Sequence, residues 1–390
     1  MNSFSRKKYD VLLIGSLCAF DQVFGEYLAR KGMKICIVRI RSTSQGYITV
    51  PENFLKVSSL NDIIYIHSNK ELVTLAKKSR AVVTFTGTFG MQLKWWWVFR
   101  RLLDIPPVFN VSTGSDFMEL LISKGRVAWF YRYFTKTCTL NITYPCPYSL
   151  KSVVKTGLKN VLITKFPSYF LPEKPAQKSC NTGTLRYLHP SHLDFKVNDS
   201  GVNRTSAKGN DRFIRAFIKA LNDGLDAECI ILDRGPDRDV AREIINCSGY
   251  ENRFIWKSHL SRAELMSEIM LADVIVDQFD VGILGNTAIE AMAMGKAVMI
   301  YLQKECMNMV YPEFPPVINA CKEEEIYDQI MQFNSREKLC LLGEHAQRWI
   351  GDNHSWETCT DLFIIYYTLF TGHQVLNYGW DIDHYKTIAE

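Results

Sequence analysis

Twice along this chain, short runs of β-branched residues alternate with longer amphipathic stretches, and a proline-bearing segment separates the two series. Such alternation predicts parallel strands joined by helices that cover both faces of a sheet. In the first series strands are expected at 9–15, 34–40, 62–67, 81–87, 108–111, 138–143 and 160–165, with helices between them, notably over 20–31 and 69–78. Periodicity stops after Lys165, where Pro167, Pro172 and Pro175 mark a linker. The second series restarts with strands expected at 184–189, 228–233, 253–256 and 273–277 and helices over 211–222 and 262–271. The fold class read from this pattern is α/β, with two doubly wound domains: 1–167, a linker at 168–183, 184–355, and a tail at 356–390. Two such halves are expected to bind ligands in a cleft at the carboxyl ends of their strands. The polar, aperiodic stretch from Asp194 to Ala207 is expected to be a mobile loop beside it.

The bulk numbers narrow the partners. With 390 residues, 47% of them hydrophobic, the chain can bury two cores. A net charge of +5 without a basic stripe or an RNA-reading motif argues against nucleic acid, and leaves anionic small molecules or lipid open. The eleven cysteines form no CxxC pair and no cluster with histidine at zinc spacing, so reduced thiols and no metal site are expected. The apolar run Val11 to Ile14 is too short for a signal-peptide core, and no run reaches the roughly 18 residues of a membrane span, so a cytoplasmic location is expected. Without a secretory signal, triplets such as Asn141-Ile-Thr143 read as chance. His259, His345 and His354 stand alone and read as structural.

The most informative stretch is ADVIVDQFDVGILGNTAIEAMAMGKAV, from Ala272 to Val298. A buried strand ends at Asp277, a glycine-containing loop follows, and a helix is expected to start near Asn286 or Thr287, whose side chains suit an N-cap. Free N–H groups and the positive end of the helix dipole make that start an anion site. Gly282 and Gly285 let the backbone approach a diphosphate, and Glu290, one turn in, is placed to reach ribose hydroxyls. The plainer reading of Glu290 is an ordinary first-turn acid favoured by the dipole.

The run from Asp277-Gln278 to Gly285, followed by Glu290-Ala-Met-Ala-Met-Gly295-Lys-Ala-Val298, resembles the donor-site signature of GT-B glycosyltransferases similar to family 4. Lys208-Gly-Asn-Asp211, Ile230-Ile-Leu-Asp-Arg-Gly-Pro-Asp-Arg238 and the stretch from Pro312 to Asn319 follow in the family's order. The resemblance implies two Rossmann-like domains facing across a cleft, and a C-terminal helix that returns to the first. It implies that Gly282, Gly285, Asn286, Thr287 and Lys208 hold the diphosphate of a nucleotide sugar, with Glu290 on the ribose. The family's companion arginine normally lies just before the lysine; here an insertion separates His189-Pro190-Ser191 from Lys208, and Arg204 and His189 are the donor-contact candidates on either side of it. The implied activity is sugar transfer from a nucleotide-diphosphate sugar to a hydroxyl on a glycan, a lipid-linked or cell-surface precursor, with retention and without a metal or other cofactor. Lys208, Asp116 and Asp280 are the catalytic candidates. A sugar-nucleotide epimerase on the same scaffold and a non-catalytic nucleotide-sugar-binding protein are the alternatives.

Two departures stand out. The family spaces its paired acids Glu-x7-Glu, and Gly282 occupies the first position, leaving Asp280 the nearest carboxylate. Where the first domain often carries a histidine, this chain has Ser112-Thr-Gly-Ser-Asp116. Finally, Met91 to Leu103 contains three consecutive tryptophans among cations. As a helix it would turn some of Lys94, Trp95, Trp97, Arg100 and Arg101 outwards, the composition of a segment lying on an anionic membrane; packing on neighbouring elements is the alternative.

Overall fold

The computed structural model describes residues 7–15, 20–40, 61–85, 104–112, 120–165, 183–195, 207–258 and 260–372. The chain divides into two compact units, Met1–Tyr144 with Tyr148–Phe170 and His354–Glu390, and Pro145–Pro147 with Leu171–Asn353.

In the first unit the order is β1 (Tyr9–Ile14), α1 (Phe20–Arg30), β2 (Ile35–Ile40), β3 (Asn61–Ile66), α2 (Asn69–Lys77), β4 (Ser79–Phe85), β5 (Val108–Val111), α3 (Arg126–Thr137), β6 (Leu140–Thr143), α4 (Pro147–Thr156) and β7 (Val161–Ile163). The strands form one parallel sheet in the order β3-β2-β1-β4-β5-β6-β7. Alternation along β1 explains its burial on both sides: Leu12 and Ile14 enter one core, Val11 and Leu13 the other. A buried polar ladder crosses the sheet. Thr84 donates to Asn110 at 3.1 Å, Asn110 to Asn141 at 3.0 Å, and Asn141 to the Thr135 carbonyl at 2.8 Å. Asn141 is therefore a core residue, closed to glycosylation in the folded protein. After the second unit, α12 (Trp356–Thr371) joins this core through Phe363, Ile364 and Tyr367.

The second unit runs β8 (Leu185–His189), α5 (Asn210–Asn222), β9 (Ala227–Leu232), α6 (Arg238–Asn246), β10 (Phe254–Lys257), α7 (Arg262–Leu271), β11 (Val274–Val276), α8 (Asn286–Ala293), β12 (Ala297–Ile300), α9 (Lys304–Met307), β13 (Ile318–Asn319), α10 (Glu323–Gln332) and α11 (Arg336–His354). Its parallel sheet has the order β10-β9-β8-β11-β12-β13. Helix α5 shows why these stretches fold as they do: Phe213, Ile214, Phe217, Ala220 and Leu221 recur at helical spacing and are all buried. Both sheets reverse direction beside their first strand, so each has a topological switch point, in the second unit between β8 and β11.

The α/β class and the strands expected from the sequence are present, shifted by a residue or two at their ends. The cysteines among the described residues are free thiols.

Candidate functional site

Strands β8 and β11 lie side by side, with Tyr187 opposite Val274 and Leu188 opposite Ile275. Past their carboxyl ends the chain is stitched across the switch point. Ser191 donates to Asp277 Oδ1 at 2.6 Å. The Lys208 N–H donates to the Asp194 carbonyl at 2.5 Å, and the Lys208 carbonyl accepts from the Phe279 N–H at 2.6 Å. Lys208 is thereby clamped by its own backbone between the loops after β8 and β11, with its side chain half-exposed. Arg234, after β9, donates to the Pro190 carbonyl at 2.7 Å. Partial burial, then the nearby charges of Arg234 and Lys208, hold the His192 imidazole below its ordinary pKa. Cationic groups thus converge at the switch point.

The loop after β11 is held by Gln278, which is 1% exposed. Its amide nitrogen donates to the carbonyls of Ile283 at 3.0 Å and Tyr301 at 3.1 Å, and its oxygen accepts the Val281 N–H at 2.6 Å. This one side chain replaces the hydrogen bonds that a strand would have supplied, which buried backbone groups require. Asp280 is paired with Arg212, whose guanidinium also donates to the Cys321 carbonyl at 2.7 Å. The carboxylate expected in a catalytic role is therefore engaged in anchoring α5 to this loop. Gly282 lies in the left-handed region at φ 75°, where a Cβ would come within 3.3 Å of Tyr301 and Gln303. An acid in this backbone conformation would be strained as well as crowded.

Helix α8 starts differently from the sequence expectation. Its N-cap is Gly285, extended at φ −79° and ψ 166°, with no side chain bonded across it. A Cβ on Gly285 would stand 3.0 Å from Asp277 Oδ2, so the carboxylate and the helix start are packed backbone to side chain. Asn286 and Thr287 are the first two helical residues and not the cap, and they are half-exposed. The first N–H groups of a helix have no partner within it, so this end presents donors and a positive dipole end. Glu290 lies in the next turn and is 1% exposed, sheltered from bulk water.

His189 occupies a different place from the donor contact expected of it. It is fully buried, its Nε2 lies 2.9 Å from Asn210 Nδ2, and its ring stacks on Phe213. Burial lowers its pKa to about 4, which keeps the ring neutral so that Nε2 accepts from Asn210. It supports the start of α5 from below. Asp116, Arg204, His259 and the surface candidates Lys94, Trp95, Trp97, Arg100 and Arg101 lie outside the described residues, as do residues 196–206 of the expected loop. Nothing in the sequence alone gives Gln278, Ser191, Asn210, Arg212 or Arg234 a role. Their signal was only their position beside recognisable glycines and acids. Among the described residues, no group of three His, Cys, Asp or Glu side chains could hold a metal ion.

Two α/β units, each with a parallel sheet, are the architecture of GT-B glycosyltransferases. Solved structures of that fold resemble this chain at low identity. S. aureus TarM, in complex with fondaparinux, α-GlcNAc-glycerol and UDP, is 14% identical with a TM-score of 0.56, over 76% of this chain and 57% of TarM. The chain thus spans under two thirds of TarM's length. A glycosyltransferase from Rickettsia africae is 15% identical, TM-score 0.61, over 93% and 98% of the two chains. Anabaena HepE, in complex with UDP and glucose, is 13% identical, TM-score 0.59, over 91% and 98%. None of the curated proteins matches in sequence. Residues 202–350 match the family model of glycosyl transferases group 1. The matched segment contains Lys208, Gln278, Gly282, Gly285 and Glu290.

Proposed function

We propose that the chain transfers a sugar from a nucleoside-diphosphate sugar to a hydroxyl of a glycan or glycolipid acceptor. What supports this reading is a half-exposed Lys208, held by its backbone between the loops after β8 and β11 at the switch point, together with a start of α8 that no side chain caps. A diphosphate there would accept from the N–H groups of Asn286 and Thr287 and meet the Lys208 charge, with Glu290 on the ribose side. As the bond from the anomeric carbon to the phosphate oxygen breaks, charge grows on that oxygen where fixed donors already point, an electrostatic stabilisation that requires little reorganisation. The acceptor oxygen forms the new bond to the anomeric carbon and passes its proton to the departing diphosphate oxygen. Retention of anomeric configuration is part of the proposal, as is a lipid-linked or cell-surface precursor as acceptor. Because TarM and HepE were solved with UDP, uridine diphosphate sugars are the first donors to test.

Calorimetry on Lys208→Ala is the direct experiment. UDP affinity should fall on the order of tenfold or more, the scale of one charge-assisted hydrogen bond, while uridine affinity stays put. Equal loss for UDP and uridine would remove the phosphate role. Glu290→Ala should weaken both, through the ribose. Transfer should persist in EDTA, since amides and lysine supply the positive potential; activity restored only by Mg²⁺ or Mn²⁺ would contradict this. Product analysis separates transfer from epimerisation, which would yield an altered nucleotide sugar and no glycosylated acceptor.

A further inference from the structure

From Leu120 to Lys165 the sequence carries eight Lys and Arg and no Asp or Glu, although the whole chain is only +5, so the remaining residues are net negative. The positive charge of this protein is concentrated in α3, α4 and their flanks. Both helices pack against one face of the first sheet, where Tyr131 and Phe134 of α3 share a core with Leu158 and Val153 at α4. Their opposite faces therefore look away from the sheet together.

Those outer faces are not ordinary solvated ones. On α3, Arg126, Trp129, Tyr133 and Lys136 follow helical spacing; Trp129 is 58% exposed, and its ring stacks on Tyr133 at 6.0 Å. On α4, Val154 is 81% exposed between the exposed Lys151 and Lys155. Among the described residues none of these lysines, nor Arg126, makes an ion pair, and Arg132 turns inward to the carbonyls of Leu121 and Ser123. An exposed tryptophan stacked on a half-buried tyrosine amid cations without ion pairs suits a boundary that is apolar on one side and anionic at its rim.

We propose that the face formed by α3 and α4 seats this protein on an anionic phospholipid surface. Trp129 and Tyr133 enter the headgroup region, and the surrounding lysines and Arg126 meet lipid phosphates. A second copy of the chain fits this face poorly, since a self-complementary interface would set like charges against each other. No helix among the described residues is long and apolar enough to cross a membrane, so the contact made here is with the surface. The assignment rests on the first unit alone and stands or falls separately from the donor site.

The test is sedimentation of the full chain with vesicles of pure phosphatidylcholine and of phosphatidylcholine with phosphatidylglycerol, at low and high salt. The wild type should bind only the anionic vesicles, more weakly at high salt. The triple variant Lys124→Gln, Lys136→Gln, Lys151→Gln should lose on the order of a hundredfold in affinity. Trp129→Ser should weaken binding at both salt levels, with the melting temperature and UDP binding of both variants checked as controls. Wild-type protein that ignores anionic vesicles, or variants that bind as the wild type does, would overturn the proposal. So would Trp129→Ser leaving vesicle binding intact while soluble heparin competes fully, which marks a polyanion site. A dimer that Trp129→Ser dissolves would assign the face to a second copy instead.

Discussion

Gly235 shows how much of the site depends on single backbone positions. It sits at φ 121°, and a Cβ there would approach the Leu193 carbonyl oxygen at 2.4 Å and its nitrogen at 2.6 Å. That contact aligns the hydrogen bonds from the Leu193 N–H to the Arg234 carbonyl and from the Asp237 N–H to the Leu193 carbonyl, both 3.0 Å. Gly224 also has a positive φ, 95°, but open space around it. Replacing each by alanine separates backbone strain from collision: Gly224→Ala should cost about 1 kcal/mol, and Gly235→Ala about 3 kcal/mol or more because backbone must move. Urea unfolding measures both, and equal costs would show that the loop yields freely. At this scale the sequence was legible where a residue's chemistry is distinctive. Gly285 stood out as a glycine before an expected helix, and it is the cap of α8, while Lys208 stood out only through the resemblance of its Lys-Gly pair. Gln278 did not, because its role depends on carbonyls at Ile283 and Tyr301, the second of them twenty-three residues away.

The start of α5 and the end of β8 act as one element through His189 and Asn210. With the folded pKa lowered to about 4 by burial, His189 stays neutral in the folded chain while the unfolded chain takes up a proton near pH 6.5. The unfolded state then binds more protons below pH 6.5, so this contribution is complete above that pH and is lost as pH falls towards about 4. Wild type should lose about 2 kcal/mol of stability between pH 6.5 and 5 that His189→Gln does not lose. Denaturant midpoints at the two pH values compare them, and parallel slopes would show that the ring is solvated. The start of α8 differs from what the sequence leads one to expect. Asn286 and Thr287 looked like caps on side-chain chemistry alone, but the cap falls on Gly285, where the chain passes against the Asp277 carboxylate. Cap position depends on where the preceding loop delivers the chain, and Gln278 and Asp277 decide that.

Across the whole molecule, the last described helix completes the first unit. Phe363 of α12 meets Phe24 at 4.9 Å and Phe109 at 5.3 Å between ring centroids, in a core shared with α1 and β5. Phe363→Ala should destabilise that unit by about 3–5 kcal/mol while leaving UDP binding in the second unit unchanged. Thermal unfolding with and without UDP checks this, and a matching loss of nucleotide affinity would count against the separation. The sequence by itself determined the two α/β series, the strands within them and the glycine-bearing loop before α8. Those features are written in periodicities of two and of about 3.6 residues and in local turn chemistry, which neighbouring residues carry among themselves. Only the tertiary structure decided that Ser191 meets Asp277 across eighty-six residues, that Lys208 is clamped between two loops, that Asp280 serves Arg212, and that α3 and α4 expose one basic, aromatic face. Such pairings follow from strand order and from which side of a sheet each helix covers, and contacts made at that range leave no repeating trace along the chain.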